Sequence, residues 1–417
     1  MNRWFVVLGA LLIQFCLGAI YAWSAFTKAL SLPLDKGGEF GFTATQTQII
    51  FSVGLAVFAV VMVFAGKLQA KIGPRPVAIA GGILLGIGYL GASFLGQTFA
   101  MQLVFIGIIA GAGIGLAYVC PIAVGIRWFP DKKGFITGLA VAGFGFGALL
   151  WVKLAGPWAS LIATHGVLGT FRIYGFIFLG GVLIGSIWMV YPKEEAKAAG
   201  GAKAPAAGML PDAVLKTPQF YIIWITFIVG ALAGLMVIGV IALFAIDALT
   251  ASGVEAAKAA AMAGTAMGVF FAIANGLGRI VWGSLSDSMG RKTSIILMSA
   301  IQGVMMLAFY FIGGNEWLLY IGSAIIGFNF GGNFALFPAI TADYFGAATV
   351  GRNYGWVFTA YGVGGIVGPI MAGYFKDAGK GQGVQAWMPP FIIAGVLLLI
   401  VALLMTRLKP IEKAANA

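Results

Sequence analysis

The chain contains twelve apolar runs, each about 20 residues long, and this succession constrains its fold more than any other feature. An α-helix of that length spans the hydrocarbon core of a bilayer, so each run predicts one membrane-spanning helix. The runs cover residues 4–26, 46–66, 76–97, 100–125, 134–160, 171–191, 219–246, 260–284, 293–313, 316–341, 352–375 and 387–407. Only 9% of the 417 residues are charged, against about 25% in soluble domains. We therefore predict an all-α membrane protein with twelve transmembrane helices.

The segments that connect these runs differ strongly in their content of basic residues. With the N-terminus placed inside, the inner segments hold Arg3, Lys67, Lys71, Arg75, Arg127, Lys132, Lys133, the lysines of 193–216, Arg291, Lys292, Arg352, Arg407, Lys409 and Lys413, and the outer segments hold Lys28, Lys36, Lys153, Arg172, Lys258, Lys376 and Lys380. By the positive-inside rule this asymmetry predicts that both termini are cytoplasmic, and we expect a multi-pass protein of a bacterial inner membrane. Basic residues scattered over short segments argue against nucleic-acid binding. The first run has no small-residue cleavage site followed by a soluble domain, so we interpret it as a retained helix.

Six runs precede and six follow a polar, low-complexity segment at 192–218. This predicts two six-helix bundles, 1–191 and 219–417, joined by a cytoplasmic linker. Adding 217 to a position in the first half gives its match in the second: Gly66 with Gly283, Leu68 with Leu285, Gly73 with Gly290, Gly115 with Gly332, Pro121 with Pro338, Gly134 with Gly351, Gly138 with Gly355, Gly145 with Gly362, and Gly147 with Gly364. Because six is even, both copies enter the membrane from the same side, which predicts a pseudo-two-fold axis along the membrane normal.

The clearest copy of the repeated segment follows the eighth run. It reads Gly283-Ser284-Leu285-Ser286-Asp287-Ser288-Met289-Gly290-Arg291-Lys292. This stretch resembles the cytoplasmic signature loop of the major facilitator superfamily. In it, the glycines would allow close helix approach, and Asp287 could cap a helix N-terminus and pair with the basic residues of the segment. The first-half copy has Ala70 at the aspartate position, so we expect it to be the weaker latch.

Four further stretches lie near the ends of the predicted spans. They are Asn2-Arg3-Trp4, Arg127-Trp128-Phe129-Pro130-Asp131-Lys132-Lys133-Gly134, Phe334-Ala335-Leu336-Phe337-Pro338 and Gly351-Arg352-Asn353-Tyr354-Gly355. Together they resemble the oxalate/formate antiporter family and its relatives, the monocarboxylate transporters, and the Arg-Trp-Phe-Pro-Asp-Lys segment is fairly specific. The resemblance implies the two-bundle transporter fold, alternating access, a carboxylate substrate and, from the monocarboxylate relatives, coupling to a proton.

The chain departs from these families at two positions. The family's arginine of the eighth span corresponds to Arg279, but the lysine that the oxalate exchanger carries in the eleventh span corresponds to Tyr361. The aspartate that animal monocarboxylate transporters carry one turn before the arginine corresponds to Asn275. The resemblance therefore implies an anion site with one cation, which suits a monocarboxylate such as lactate, pyruvate or acetate better than a dicarboxylate.

Arg279 is the only charged residue deep inside a predicted span. A guanidinium in hydrocarbon costs at least ~2.5–3.5 kcal/mol on insertion scales and cannot lose its proton to escape that cost. Its planar fork suits a carboxylate; the alternatives are a structural arginine or one that snorkels to the interface. Asn275 lies one turn earlier on the same face. It could orient the guanidinium, bond a substrate hydroxyl, or simply join helices.

Several aromatic residues are candidate walls of the same substrate site. They are Tyr21, Tyr118, Phe144, Phe330, Phe334, Phe358 and Tyr361. By the offset of 217, Tyr361 mirrors Phe144. For each of them, packing against lipid or core is the alternative. We expect Asp247 and Asp343 to act as interfacial caps and Lys153 to snorkel.

The sequence favours a transporter over other classes of protein. The sole histidine, His165, falls in a predicted loop, and Cys16 and Cys120 lie within apolar runs, so we predict no metal, cofactor or enzymatic centre. An oxalate/formate-type exchanger stays open as an alternative, and a carboxylate sensor that does not transport is a further one. An exporter of cationic drugs would need a buried carboxylate, and we find none deep in a span. We expect a monomer whose partners are the bilayer, a small monocarboxylate and a proton.

Overall fold

The computed structural model describes residues 2–30, 32, 34–36, 38–42, 44–156, 158–192, 208–379 and 381–411. Within these ranges the chain forms helices, turns and bends, with no strand. Twelve helices are long and apolar enough to cross a membrane, which confirms the predicted all-α class. They are α1 Arg3–Ala22, α2 Ile49–Ile72, α3 Pro74–Leu95, α4 Phe99–Trp128, α5 Lys133–Ala155, α6 Leu161–Ser186, α7 Pro218–Ala251, α8 Ala256–Met289, α9 Arg291–Ile312, α10 Glu316–Phe345, α11 Ala347–Lys376 and α12 Gly383–Thr406.

Contacts divide the chain into two compact units. The first unit comprises Met1–Phe129 and Leu139–Ala204, and the second comprises Pro130–Gly138 and Pro205–Ala417. The first turns of α5 thus belong by contact to the second unit. Most of the linker predicted at 192–218 lies outside the described residues, so the predicted three-part division stays a prediction.

The offset of the sequence repeat recurs in the helix boundaries. Helices α3 and α9 are both 22 residues long, and they begin at the matching positions Pro74 and Arg291. Helices α4 and α10 are both 30 residues long, and their ends match in the same way. Before α3 and α9 the chain turns at Gly73 and Gly290, whose φ angles of +87° and +88° favour glycine. The two units therefore share local structure at the register of the sequence repeat.

Basic residues at matching positions cap the last helix of each unit. The Arg75 guanidinium donates to the carbonyl of Ile187, just beyond α6. Lys292, which matches Arg75 in the repeat, donates through Nζ to the carbonyls of Thr406 at 2.7 Å and Leu408 at 2.9 Å. A cation at a helix C-terminus satisfies carbonyls that have no partner inside the helix and complements the helix dipole.

Helix α6 begins earlier than the predicted boundary at residue 171. The helix starts at Leu161 and breaks at Gly166, where φ is 66° and ψ is −179°. The prediction that His165 lies in a loop is therefore wrong, because His165 ends the helical turn before this break. The turn at 161–165 ends in Thr164 and His165 and is followed by the break at Gly166, so the sequence pattern placed it in a connecting segment.

The signature segment is likewise helical rather than a loop. The apolar run ends at residue 284, but helix α8 continues to Met289, so Gly283 and Asp287 lie within it. Only Gly290 separates α8 from α9, which begins at Arg291. The serines and the aspartate end the apolar run without ending the helix, because the positive φ that breaks the helix belongs to Gly290.

Helix α8 carries Arg279 and contacts α10 closely. It combines an α-helical stretch Ala256–Thr265, a π-helical stretch Ala266–Phe271 and a second α-helical stretch Ala272–Met289. A Cβ on Gly278 would overlap the carbonyl of Phe328, and one on Gly331 would overlap the carbonyl of Asn275. Glycine thus lets the two backbones approach at the level of Arg279.

Candidate functional site

Arg279 is fully buried, with 0% of its surface exposed. Among the residues that the structure describes, it is the only charged one in the buried class. It lies ten residues before the end of α8 at Met289, which corresponds to about 15 Å along the helix axis. A snorkelling arginine would expose its guanidinium, so the burial contradicts that alternative.

Asn275 and Phe334 both contact the guanidinium of Arg279. Its Nε donates to Oδ1 of Asn275 at 3.0 Å, and the four-residue spacing places both side chains on one face of α8. Its Cζ lies 4.3 Å from the ring centroid of Phe334 on α10, within cation–π range. Of the roles predicted for Asn275, the geometry shows the contact with Arg279. A contact between Asn275 and a substrate stays a proposal.

An aromatic cluster surrounds Phe334 in the second unit. The ring of Phe334 meets Phe330 at 5.3 Å and Tyr361 at 5.5 Å between centroids, and Tyr361 stacks with Phe358 at 4.9 Å. All four side chains are buried. The structure thus brings the predicted aromatic residues of α10 and α11 into one cluster, which contacts Arg279 on α8 through Phe334.

Phe227 on α7 is a further member of this cluster, which the sequence did not indicate. Its ring centroid lies 6.4 Å from that of Phe334 and 6.0 Å from that of Phe358. By the offset of 217, Phe227 corresponds to Ala10 in the first half, so the repeat does not indicate an aromatic residue at this position. Only the packing of α7 against α10 and α11 reveals this residue.

The first unit contains an aromatic cluster of its own. The ring of Phe144 lies 4.9 Å from Tyr21 and 5.5 Å from Tyr118, and Tyr118 lies 5.1 Å from Phe58. Phe144 therefore joins the other two predicted residues of this half. Phe58 on α2 was missed, although the repeat could have indicated it, because the offset maps Phe58 onto Asn275.

The repeat also shows how the two clusters differ in charge. The position that mirrors Arg279 is Met62 on α2, which is fully buried. The pair Asn275 and Arg279 thus corresponds to Phe58 and Met62 in the first unit. The cation belongs to one copy of the repeat, and the other copy presents an apolar surface at the equivalent positions.

Asp287 caps the N-terminus of α5 and not that of α9, the helix that follows it in the chain. Its Oδ1 accepts from the backbone N–H of Gly134 at 3.0 Å and its Oδ2 from that of Phe135 at 2.8 Å. Both groups lie in the first turn of α5, so the carboxylate complements the positive end of that helix. Helix α9 instead begins after Gly290, which provides no side-chain cap.

A chain of ion pairs extends from Asp287. Arg291 pairs through Nη2 with Asp287 Oδ1 at 2.5 Å and through Nε with Asp343 Oδ2 at 3.0 Å. Asp343 Oδ1 also pairs with Lys133 Nζ at 2.7 Å. The predicted pairing of Asp287 with a basic residue is therefore present, and Asp343 joins the same network.

A separate ion pair lies near the C-terminal end of α7. Asp247 Oδ2 accepts from the ammonium of Lys376 and, at 2.7 Å, from Nε1 of Trp387. The Lys376 ammonium lies 4.9 Å from the ring centroid of Trp387. About a third of the side-chain surface of Asp247 is exposed, so this carboxylate differs from the fully buried Arg279. Within the described ranges, no three histidine, cysteine or acidic residues lie together as metal ligands.

Sequence comparison agrees with this architecture. The sequence profile of the Major Facilitator Superfamily matches residues 3–273 and 255–417. The chain belongs to the Major Facilitator Superfamily. Members of this superfamily are membrane transporters rather than enzymes. The structure of a proton:xylose symporter of the superfamily superposes with a TM-score of 0.69 over 98% of this chain and 96% of that one, at 16% identity, so the likeness is one of fold.

Relatives within the superfamily confirm the resemblance noted in the sequence. The oxalate:formate antiporter of Oxalobacter formigenes is 28% identical, over 98% of this chain and 92% of its own length. The apicoplast pyruvate carrier 1 of Toxoplasma gondii is 25% identical, over 86% of this chain and 81% of its own length. Both relatives carry small organic acids by name. A buried guanidinium is chemically suited to bind one carboxylate, because its fork matches the two carboxylate oxygens.

Proposed function

We propose that this member of the superfamily is a secondary active transporter of small monocarboxylates of the lactate, pyruvate and acetate type. One observation carries the proposal: Arg279 is fully buried on α8, in contact with Asn275 and the ring of Phe334. Burying a cation costs free energy, so a buried arginine in a membrane helix indicates a functional role. A carboxylate is the simplest ligand that would offset this cost, because its two oxygens match the fork of a guanidinium.

The contacts of Arg279 favour binding in one orientation. Asn275 holds the guanidinium through Nε and Phe334 covers one of its faces. A cation whose orientation is already set loses less conformational entropy when a planar carboxylate binds. The rings of Phe330 and Tyr361 provide an apolar surface that suits a short organic tail.

The single cation distinguishes the proposed substrates from dicarboxylates. Tyr361 stands at the position where the oxalate exchanger carries lysine, and its ring packs against Phe334 and Phe358. A doubly charged anion would leave one carboxylate without a cation in a site of low polarity, which is costly. A second candidate function is exchange of oxalate-type anions, and the 28% identity to an oxalate:formate antiporter favours it.

Charge neutralisation offers a reason why binding would permit the transport step. A carboxylate bound to Arg279 would offset the positive charge of the guanidinium, so the cost of closing the site around the ligand would fall. We propose that the two bundles then alternate access to the two sides of the membrane. No aspartate or glutamate is fully buried among the described residues, so in this proposal the proton enters with the acid itself rather than on a buried carboxyl.

Uptake by the purified full-length chain in proteoliposomes tests the substrate class. We expect labelled lactate or pyruvate to accumulate when the outside is acidic, and accumulation to fall when the pH gradient is abolished. Counterflow with oxalate on one side and lactate on the other separates the two candidate functions. Oxalate counterflow without lactate uptake would favour oxalate exchange over monocarboxylate transport. Lactate uptake that does not depend on the pH gradient would disprove coupling to a proton.

The orientation and assembly of the chain are part of the same proposal. The excess of basic residues on one set of connecting segments supports cytoplasmic termini in a bacterial inner membrane. We further propose that the monomer is the transporting unit, since Arg279, Asn275 and Phe334 all belong to one unit of the chain. Protease accessibility of a tag at each terminus in sealed vesicles tests the orientation.

A further inference from the structure

Three buried amide side chains on α9 and α10 have groups that make no hydrogen bond within the described residues. They are Nε2 of Gln302 on α9, and Nδ2 of Asn329 and Oδ1 of Asn333 on α10. Each of these side chains is no more than 1% exposed. A buried donor or acceptor without a partner costs about 1–3 kcal/mol, so three of them call for an explanation.

The packing of α9 against α10 places two of these groups opposite each other. Met298 lies against Gly332 and Phe309 lies against Gly322, which sets the register of the two antiparallel helices. Gln302 lies seven residues before Phe309, and Asn329 lies seven residues after Gly322. Gln302 and Asn329 therefore face each other at the same level.

The third group lies one turn away on the same side of α10. Asn333 follows Asn329 by four residues, so the two side chains share a face of the helix. Oδ1 of Asn333 borders Gly230 on α7, where a Cβ would come within 2.6 Å of it. The amide cluster of Gln302, Asn329 and Asn333 thus lies between α7, α9 and α10.

Neighbouring bonds determine which atom of each asparagine lacks a partner. Nδ2 of Asn333 donates to the carbonyl of Phe330 at 3.0 Å, so its oxygen must point away from that carbonyl. Oδ1 of Asn329 accepts from Nε1 of Trp282 at 3.1 Å, so its nitrogen is the group left over. The cluster therefore presents donors from Asn329 and Gln302 and an acceptor from Asn333.

We propose that the amide cluster is a hydrated site that holds an ordered water molecule between α9 and α10. A buried water typically makes about three hydrogen bonds. Here it accepts from Gln302 Nε2 and Asn329 Nδ2 and donates to Asn333 Oδ1, which satisfies all three groups.

The water also acts on α8 through Asn329. Trp282 lies three residues after Arg279 on α8, and its indole donates to Asn329. By fixing the Asn329 amide, the water positions Trp282 and with it the turn of α8 that carries Arg279. Asn333 and Gln302 are in this respect positioning residues that do not touch the substrate.

A structure of the full-length chain at a resolution that shows ordered water tests the proposal first. We expect density at about 2.7–3.2 Å from Asn333 Oδ1 and from at least one of the two amide nitrogens. Direct bonds between the amides with no density among them would overturn the hydrated site.

Variants test the same site independently of transport. Asn333→Leu removes the acceptor and should lower the thermal midpoint by about 2–4 °C or more, whereas Asn333→Gln places a longer amide where the water lies and should restore most of the stability. Ser323→Ala is the matched control, because Ser323 is buried on α10 and its hydroxyl bonds to the carbonyl of Leu319 in its own helix. If Asn333→Leu were as stable as Ser323→Ala, the water network would be disproved.

A double-mutant cycle tests the positioning role. Trp282→Phe and Asn333→Leu should each lower the thermal midpoint, and their effects should be less than additive, because both act through Asn329. Strict additivity would show that the cluster does not act on Trp282. If Asn333→Leu did not fold, the density in the unaltered chain would still decide the question of the water.

Discussion

Oδ1 of Asn275 accepts a hydrogen bond from Nε of Arg279 at 3.0 Å, one helical turn away on α8. A neutral amide therefore stands where a carboxylate would neutralise the buried guanidinium. Asn275 thus sets the orientation of the guanidinium without adding a negative charge beside it.

Replacing Arg279 by glutamine should abolish uptake of monocarboxylates. Truncating one partner of a buried charge pair costs about 2–5 kcal/mol, which corresponds to a loss of at least ~30-fold. Arg279→Lys keeps the charge but loses the fork and should also fail. Initial rates of lactate uptake in proteoliposomes measure the loss. The control is Arg172→Gln, since Arg172 contacts Ser93 and Phe94 in the other unit. Substantial residual uptake in Arg279→Gln would refute the anion site.

Replacing Asn275 by aspartate should weaken substrate binding and make it depend on pH. The new carboxylate would pair with Arg279 and compete with the substrate anion. We expect at least a ~10-fold rise in the half-saturating concentration, since about 1.4 kcal/mol already produces that change. The loss should diminish at low pH, where the aspartate takes up a proton. Asn275→Ala is the comparison, because it removes the contact without adding charge. An Asp variant with unchanged affinity at neutral pH would contradict the orienting role.

Replacing Phe334 by leucine should reduce affinity without abolishing transport. The ring of Phe334 covers the guanidinium of Arg279, and a cation–π contact contributes about 0.5–2 kcal/mol. Phe337→Leu serves as the matched control, because Phe337 on the same helix stacks with Phe227 at 4.3 Å. Equal effects of the two substitutions on half-saturation would show that packing, and not the cation–π contact, is responsible.

Replacing Tyr361 by lysine should extend the substrate range to dicarboxylates. The ring of Tyr361 lies 5.5 Å from that of Phe334, so an ammonium in this region would add a second cation to the site. We expect oxalate to become a competitor of lactate uptake, measured as inhibition by unlabelled oxalate. Tyr361→Phe is the control and should leave oxalate without effect. Persistent indifference to oxalate in a folded Tyr361→Lys protein would argue that Tyr361 does not face the substrate.

Replacing Asp287 by alanine should destabilise the chain more than replacing Asp343. Asp287 caps the first turn of α5 through two backbone N–H groups, and loss of a cap costs about 0.5–2 kcal/mol. Asp343 makes ion pairs with Lys133 and Arg291, and a third of its side chain is exposed. Exposed pairs contribute about 0–1 kcal/mol. Thermal midpoints of the two variants in one detergent compare the effects, and a larger fall for Asp343→Ala would reverse the assignment.

Hydropathy and the repeat could predict much of the fold, because both depend on the bilayer and on duplication rather than on tertiary contacts. The twelve apolar runs correspond to twelve helices, and the offset between the two halves locates the glycine turns at Gly73 and Gly290. The boundary of α6 was missed because the helix breaks at Gly166, which separates its first turn from the apolar run that follows. The end of α8 was missed because Asp287 and its neighbouring serines are polar yet helical.

The candidate site was accessible to sequence reasoning only in part. Arg279 stands out because a charge in an apolar run is rare, and Asn275 follows from helical spacing. Phe227 and the amide cluster depend on which helices pack together, which a single sequence does not specify. Gln302 shows this most clearly, because its relation to Asn329 follows from contacts made elsewhere along α9 and α10.

The basic caps have a consequence for the connectivity of the chain. Arg75 joins the third helix of the first unit to the residue that follows its sixth, and Lys292 does the same in the second unit. In each unit, a bond thus joins the third helix of that half of the chain to the end of its last helix. Neither bond crosses residues 193–207, so a chain severed there would retain both.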